Sequence, residues 1–392
     1  MPETTFGFIA DTHLCLKKYG SEQRGADFLH AVLNAIEQCA SCGIETILHA
    51  GDLCDTAEIT GTEYSMLRTV HQRLVSKKMR MLSITGNHDM NRVPWHSVVG
   101  HTLPEVSTEI EITDKHLGVL CIDNRLVKVH GRRILGVPYQ TDGVMRQRLH
   151  TMATEFGLSD TSPADFLMWH GMVREFFASS NSISAAEFAA HDYFNNVLLG
   201  DIHIRQFYAL RFDNRGIIGY PGSTELCSVN EPTDKTVAVL NFADETQVTP
   251  SITYLPIDTR PCWRRRIENE ETMTGMLNEL RAMDRNSRGP IIVASVRDDI
   301  SDFKNRVVTA APANTVVLEP RYIQKFEDIS MSAHFSEPDY RPKTMDLEDM
   351  ILTVFPGLDK TSANFSALLA IAQSPDAAST IIETRVQEIL KN

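Results

Sequence analysis

The chain has 392 residues, of which 42% are hydrophobic and 23% charged, and its formal net charge is −13. The length predicts a globular domain of about 250 residues with one or two smaller units. The negative charge excludes a protein that holds nucleic acid by bulk electrostatic attraction alone, but not one that binds phosphates through metal ions or a partner. The absence of a long apolar run or signal pattern predicts no membrane association, and seven scattered cysteines predict reduced thiols in the cytoplasm.

Three apolar runs in the first ninety residues each end in a short polar motif. The run at 6–10 is followed by Asp-Thr-His, the run at 45–50 by Gly-Asp, and the run at 81–85 by Gly-Asn-His-Asp. Segments with helical periodicity, at 26–40 and 63–76, separate the runs. This strand, helix, strand, helix, strand order predicts right-handed crossovers and a largely parallel sheet, which places all three polar endings along one edge.

The pattern recurs further along the chain. Short, turn-separated apolar runs between 105 and 139 are typical of a second sheet packed against the first. The runs at 166–169 and 197–199 then end in His-Gly and Gly-Asp-Ile-His. We therefore predict an α/β fold in which two sheets form a sandwich flanked by helices.

The polar endings supply side chains that bind metal ions. A His or Asp after a strand is, taken alone, more often a core or turn residue, but five such endings are hard to obtain from turn preferences. Seven donors are too many for one ion and natural for two, and oxygen and imidazole donors without thiolate fit Mn²⁺, Fe²⁺ or Zn²⁺. The candidate ligands are Asp11, His13, Asp52, Asn87, His170, Asp201 and His203. Two such ions would activate water for in-line attack on a phosphodiester.

The ordered motifs resemble those of the calcineurin-like metallophosphoesterases over residues 6–205. A closer resemblance, reaching to residue 257, is to SbcD-type nucleases, the nuclease subunits of a double-strand-break processing complex. The motifs that carry it are Asp-Thr-His-Leu at 11–14, Gly-Asp-Leu-Cys-Asp-Thr at 51–56, Gly-Val-Pro-Tyr at 136–139, and Tyr-Pro-Gly-Ser-Thr-Glu at 220–225 with Glu231 downstream.

By position, the resemblance implies how two divalent ions, with Mn²⁺ expected, would be held. The first ion would be bound by Asp11, His13 and His203. The second would be bound by Asn87, His170 and Asp201, with Asp52 bridging the two. Many family members carry histidine where this chain has Asp201, so the substitution adds a negative charge that could alter metal preference.

The resemblance also implies catalytic residues outside the ligand set. His88 would be the acid or transition-state stabiliser beside the leaving oxygen, and Asp89 would orient its ring. Asp55 stands where archaeal and eukaryotic relatives have a catalytic histidine, whereas bacterial relatives resemble this chain. The implied function is a two-metal DNA nuclease in repair and recombination, with 3′-to-5′ exonuclease action and endonuclease action on double-stranded ends.

Two other functions are compatible with this fold. One is a phosphatase or cyclic-nucleotide phosphodiesterase, but protein phosphatases of the superfamily carry Arg and Glu where this chain has Thr56 and Asp89. The other is a metal-free scaffold, which would have no need of seven ligands.

We predict a catalytic domain at 1–258 and a small α+β unit at 259–331, with a helix at 271–283 and strands at 291–296 and 316–318. In SbcD-like chains such a unit is the DNA-capping domain. Three consecutive arginines at its start could contact a phosphate backbone, or could be a solvated charge run. These are Arg264, Arg265 and Arg266.

The polar segment at 332–343 contains two prolines and predicts a linker, and 344–392 is predicted to be helical. The apolar faces of these helices must be buried. They either pack on the body of this chain or, as the resemblance implies, dock on the coiled-coil base of an SbcC-like ATPase. The resemblance further implies a homodimer.

Overall fold

The computed structural model describes residues 4–19, 23–56, 60–90, 103, 109–176, 182–211, 213–284 and 287–323. The predicted linker at 332–343 and the predicted helical segment at 344–392 lie outside these residues. Both therefore stay predictions, as do the domain boundaries.

Strands and helices alternate through the first part of the chain. In chain order the strands are β1 Thr4–Ile9, β2 Thr46–His49, β3 Arg80–Ser83, β4 Ile110–Glu111, β5 Gly118–Cys121, β6 Arg125–Val129, β7 Arg132–Val137, β8 Ala164–His170, β9 Phe194–Gly200, β10 Gln206–Ala209, β11 Ile217–Tyr220, β12 Thr236–Phe242, β13 Ser251–Pro256, β14 Cys262–Ile267, β15 Ile291–Arg297, β16 Val316–Val317 and β17 Arg321–Ile323. The helices are α1 Gln23–Ser41, α2 Gly61–Ser76, α3 Asp142–Phe156, α4 Ala185–Ala189, α5 Glu270–Ala282 and α6 Phe303–Ala310.

The first sheet has the strand order β13-β12-β1-β2-β3-β5. Strands β1, β2, β3 and β5 are parallel, which confirms the parallel sheet predicted for the first three. Helices α1 and α2 cover the outer face, where apolar residues such as Val32, Ile36 and Leu67 pack against Ile47 and Met81. The predicted helices at 26–40 and 63–76 agree with α1 and α2.

The second sheet has the order β10-β11-β9-β8-β7-β6-β4, with β7, β8 and β9 parallel. The prediction that the runs at 105–139 form a second sheet is confirmed for β4, β6 and β7 but wrong for β5, which pairs with β3 in the first sheet. All four residues of β5 are buried although it is the last strand in the order of the first sheet, and a continuous apolar run does not reveal its partner from sequence.

The two sheets pack face to face, as the sequence predicts. Phe6 and Phe8 from β1 meet Phe166 and Met168 from β8 in a shared core, and the rings of Phe6 and Phe166 are edge to face at 5.9 Å. The outer face of the second sheet packs with α3 and α4. The carboxyl ends of the central parallel strands of both sheets therefore reach one rim of the sandwich.

A third, smaller sheet follows, in which β14, β16 and β17 run parallel to β15. Helices α5 and α6 share an apolar cluster with it that includes Met273, Leu280 and Phe303. Helix α5 begins with a capping box between Asn269 and Thr272, and α6 was not predicted. No helix of the described residues is long and apolar enough to span a membrane.

Four buried charged side chains join α1, the loop after β11 and the segment before β14. Asp27 pairs with Arg24 at 2.8 Å and with Arg260 at 2.6 Å, while Arg24 lies 3.3 Å from Glu225. The backbone N–H of Arg260 donates to Glu225, and its guanidinium donates to the carbonyls of residues 289 and 314 beside the third sheet. Two positive and two negative charges balance in this buried network.

Candidate metal centre

The structure brings all seven candidate ligands together at the shared rim of the two sheets. The contacts that join them are Asp201 N to Asp11 Oδ1 at 3.0 Å, His170 Nε2 to Asn87 Oδ1 at 2.8 Å, His13 Nε2 to His203 Nε2 at 3.3 Å, and Asp52 Oδ2 to His13 Nε2 at 3.6 Å and to His170 Nε2 at 3.5 Å. Three ligands follow β1 and β2, Asn87 follows β3, and the remaining three end or follow β8 and β9.

Several of these residues have an unusual backbone conformation. Asp11, His13, Asp52 and Asp201 have φ angles of 52°, 39°, 56° and 104°, in the left-handed region that L residues rarely adopt. Backbone hydrogen bonds hold the first two turns side by side, for example from His13 N to Asp52 O at 3.0 Å. Such strain persists only where the surrounding structure imposes it, and it is concentrated at functional sites.

The glycines of the motifs let backbone approach the ligands closely. A Cβ atom on Gly86 would lie 2.1 Å from Oδ1 of Asp52, and one on Gly200 would lie 2.0 Å from the carbonyl oxygen of Ala50. No side chain can occupy either space. The Gly-Asn and Gly-Asp pairings in the motifs are therefore steric requirements of the site.

The ring of His170 has a fixed orientation. Its Nδ1 donates to the carbonyl of Ala50 at 2.7 Å, so Nε2 faces the oxygens of Asn87, Asp52 and Asp201. Burial alone would lower the pKa of His170, but Asp52 and the neighbouring carboxylates raise it to about 10. A nitrogen lone pair directed at three oxygens requires a cation, either a proton or a metal ion, between them.

A second group of donors lies around His203. Its Nδ1 contacts Glu231 Oε1 at 3.0 Å, which leaves Nε2 facing Nε2 of His13. Burial raises the pKa of the nearby Asp11, whose Oδ2 is buried without a hydrogen-bond partner among the described residues. Two opposed imidazole nitrogens and an unpartnered carboxylate oxygen likewise fit a bound cation.

The structure contradicts the predicted role of Asp89. Its buried carboxylate accepts from the backbone N–H groups of Leu53, Cys54 and Gly86, at 2.9, 2.7 and 3.1 Å, and so ties the loop after β2 to the turn after β3. The ring of His88 instead donates from Nδ1 to the carbonyl of Asp55 at 2.9 Å. The hydrogen bonds of Asp89 thus go to backbone, and the ring of His88 is held by the carbonyl of Asp55 instead.

Sequence analysis missed Cys227, which lies in the loop after β11. Its Sγ and the ring nitrogens of His13 and His203 all lie within 4.8 Å of one another. No motif or spacing pointed to this thiol, because it comes close to the histidines only through the fold. Glu231 was noted only as part of a motif, and its contact with His203 was not foreseen.

The three consecutive arginines within β14 do not form one basic surface. Arg264 donates to the backbone carbonyls of Val229 and Glu231, Arg265 pairs with Glu279, and Arg266 pairs with Glu268. Successive side chains of a strand also point to opposite faces. These contacts argue against the predicted contact of Arg264, Arg265 and Arg266 with DNA.

The comparisons with known proteins agree with this geometry. A family model described as calcineurin-like phosphoesterase matches residues 4–205. The chain belongs to the calcineurin-like phosphoesterase family. This family uses divalent metal ions, and the family membership and the two-sheet fold together confirm the predicted α/β metallophosphoesterase sandwich.

Curated relatives within this phosphoesterase family carry the name DNA double-strand break repair protein Mre11. The protein from Methanocaldococcus jannaschii is 20% identical over 365 residues, which cover 90% of this chain and 94% of the relative. The one from Methanococcus maripaludis is 20% identical over 310 residues, covering 76% and 80%. Among solved structures, the crystal structure of TT1561 of Thermus thermophilus aligns with a TM-score of 0.41 and 11% identity, covering 64% of this chain and 99% of that chain.

The donor set fits the divalent ions that calcineurin-like phosphoesterases use. It contains carboxylate, amide and imidazole donors, which suit Mn²⁺, Fe²⁺ and Zn²⁺. Among the described residues, three overlapping groups have ligand atoms close enough to share an ion: Asp11, Asp52 and His170; His13, Asp52 and His88; and His13, His203 and Cys227. Family membership and this site support a hydrolase of phosphate esters.

Proposed function

We propose that the chain is a two-metal-dependent DNA nuclease that acts in double-strand-break repair. The observation that carries the proposal is the convergence of seven oxygen and imidazole donors from both sheets at one rim. The relatives named as double-strand break repair proteins align along most of this chain, which favours DNA over other phosphate esters.

The geometry supports the division of ligands between two ions. One oxygen of Asp52 lies 3.6 Å from Nε2 of His13 and 3.5 Å from Nε2 of His170. We propose that Asp52 bridges the two ions, with Asp11, His13 and His203 as ligands of one of them. The ligands of the other would be Asn87, His170 and Asp201. We propose Mn²⁺ as the natural metal.

Ions bound in this way supply charge neutralisation and activation of water for hydrolysis of a phosphodiester. His88 is the residue we assign to the leaving oxygen. Its side chain is 44% exposed, whereas those of His13 and His170 are 3% and 0% exposed. Because Nδ1 is bound to the carbonyl of Asp55, Nε2 is left to carry the proton that passes to the departing oxygen.

We further propose that the segment at 344–392 binds the coiled coil of an SbcC-like ATPase, and that the nuclease works as a homodimer in the cytoplasm. The small third sheet with α5 and α6 is then the DNA-capping unit. Its attachment through the buried network around Arg260 holds it at a defined place beside the loop of Glu225.

The test is hydrolysis by the purified full chain with Mn²⁺. The substrates are a 3′-labelled linear duplex, a nitrophenyl phosphodiester and a nitrophenyl phosphomonoester. We expect nucleotides to be released from the duplex, and the release to stop with a chelator or in Asp52→Asn. Hydrolysis of the small esters with an intact duplex would instead identify a phosphatase or cyclic-nucleotide phosphodiesterase. Failure to bind any divalent ion would favour the metal-free scaffold.

A further inference from the structure

Cys227 lies beside the proposed metal centre and has no part in the function described so far. It is 2% exposed, in the loop that leads from β11 to β12. Its Sγ atom and the ring nitrogens of His13 and His203 form one cluster with all separations within 4.8 Å. Thiolate and imidazole groups at such separations are the ligands that softer divalent ions prefer.

A single carboxylate fixes both the thiol's loop and the ring of His203. One oxygen of Glu231 contacts Nδ1 of His203 at 3.0 Å, and the other accepts from the backbone N–H of Cys227 at 3.1 Å. The same loop is bridged to the end of β1 at Ser223 and Ala10, directly before Asp11. These contacts fix the loop of Cys227 relative to His203, which follows β9, and to the end of β1, which leads to His13.

A buried cysteine most often acts as a small apolar side chain in a hydrophobic core. Cys227 does not have such apolar surroundings. Cys39, Cys54 and Cys121 pack in the apolar cluster under α1 and α2, whereas Cys227 belongs to none of the apolar clusters of the described residues. Its sulfur instead lies among polar groups, 3.8 Å from the carbonyl oxygen of Glu225 and beside the two histidine rings.

A second observation points to a cation in the same metal centre. Oδ2 of Asp11 is buried and lacks a hydrogen-bond partner among the described residues, and Nε2 of His13 and Nε2 of His203 face each other at 3.3 Å. Buried polar atoms are satisfied in nearly all native structures, so Oδ2 of Asp11 needs a proton or a metal ion, and a metal ion bound by the two ring nitrogens would replace their mutual hydrogen bond.

We propose that Cys227 supplies a sulfur ligand to the ion held by His13 and His203. The inference rests on the proposed function only in requiring that an ion binds there. On binding, the thiol gives up its proton to solvent as the sulfur bonds to the metal. The two ions would then differ chemically: the site with sulfur favours Zn²⁺, Fe²⁺ or Co²⁺, so the Mn²⁺ proposed above would be the natural ion only at the site of Asn87, His170 and Asp201, which keeps oxygen and nitrogen donors.

Cobalt provides a test that does not depend on activity. In the full chain loaded with Co²⁺ we expect a near-ultraviolet sulfur-to-cobalt charge-transfer band, and we expect it to persist in Cys39→Ala, which removes an equally buried thiol elsewhere. Cys227→Ala should lose the band while elemental analysis still detects cobalt. Its affinity for Zn²⁺ should fall at least about tenfold and its affinity for Mn²⁺ should change little. An unchanged band in Cys227→Ala overturns the proposal.

A measurement on the unaltered chain covers the case in which the variant does not fold. X-ray absorption at the zinc edge should show a sulfur neighbour at about 2.3 Å together with nitrogen and oxygen at about 2.0–2.1 Å. Nitrogen and oxygen neighbours alone would overturn the role of Cys227 and leave the nuclease proposal standing. A chain that binds no divalent ion would overturn both.

Discussion

The Nδ1 atom of His13 lies 3.2 Å from Oδ1 of Asp55, although the two are not aligned as a hydrogen bond. Partners on the outer nitrogen of a metal-binding histidine typically contribute 10–100-fold to metal affinity. We predict that Asp55→Ala weakens Mn²⁺ binding about tenfold, measured by calorimetry. Asp55→Asn should retain more of the affinity than Asp55→Ala, because its amide oxygen can still lie beside Nδ1, although without the negative charge. If Asp55→Ala binds Mn²⁺ as tightly as the unaltered chain, Asp55 does not support His13 as a ligand.

His88→Ala should bind metal normally and lose phosphodiester cleavage. A positioned general acid contributes on the order of 10²–10⁴ in rate, and we expect kcat to fall by that factor. The matched control is His30→Ala, an exposed histidine that pairs with Asp258 away from the site, and its rate should not change.

The same experiment distinguishes a second role for His88. Its ring lies close enough to His13 and Asp52 for the three to hold an ion together. Loss of one bound ion in His88→Ala would identify His88 as a ligand, and normal turnover would remove it from the mechanism altogether.

Asp89→Ala should destabilise the protein more than it disturbs proton transfer. The change leaves three backbone N–H groups without their acceptor in a buried place, and we expect the free energy of unfolding to fall by about 3 kcal/mol. Asp89→Asn, which keeps one acceptor oxygen, should lose less. Denaturant unfolding measures both variants. Loss of cleavage with full stability in Asp89→Asn would restore the orienting role that the hydrogen bonds argue against.

Arg260→Ala should be strongly destabilising, whereas Arg265→Ala should be nearly neutral. Removing the Arg260 guanidinium takes one of two positive partners from the buried Asp27 and leaves the carbonyls of residues 289 and 314 without their donor, which typically costs about 3–5 kcal/mol. Arg265 pairs with Glu279 on the surface, so its loss should change the unfolding free energy by less than about 0.5 kcal/mol. Similar effects of the two changes would mean that the network does not hold the third sheet in place.

His49 should make the protein sensitive to acid. Burial lowers the pKa of His49 to about 3, and its ring nitrogens contact Thr12 and Ser83. The unfolded chain takes up this proton near pH 6.5 and the folded chain does not, so stability is full above that pH and falls as the pH drops towards 3. Between pH 7.5 and 5 the loss from this group is about 2 kcal/mol.

The test of this pH dependence compares His49→Gln with the unaltered chain by denaturant unfolding in a chelator. The variant should lose less stability than the unaltered chain over the same interval. An identical pH dependence of the two proteins would contradict the assignment to His49.

The features that the sequence predicted well are those carried by local patterns. The order of β1, α1, β2, α2 and β3 follows from apolar runs and helical periodicity, and each polar ending lies at the carboxyl end of its strand. The seven candidate ligands could therefore be named without knowing how the sheets meet. What brings them into contact is that the central strands of both sheets end at the same rim.

The features that the sequence did not predict depend on contacts between distant segments. Asp89 follows His88 directly, yet its partners are Leu53 and Cys54, more than thirty residues earlier. Cys227 and the network around Arg260 likewise join segments that no periodicity relates. The pairing of β5 with the first sheet was also not predictable, because a short buried strand can pair with one sheet as readily as with another.

The residues that gather around Asp52 are spread from position 11 to position 203, and the loop of Cys227 lies later still. During synthesis on the ribosome, the proposed centre cannot assemble until β9 and the residues after it have left the exit tunnel. The nascent chain would therefore remain catalytically inert until its first two sheets had formed.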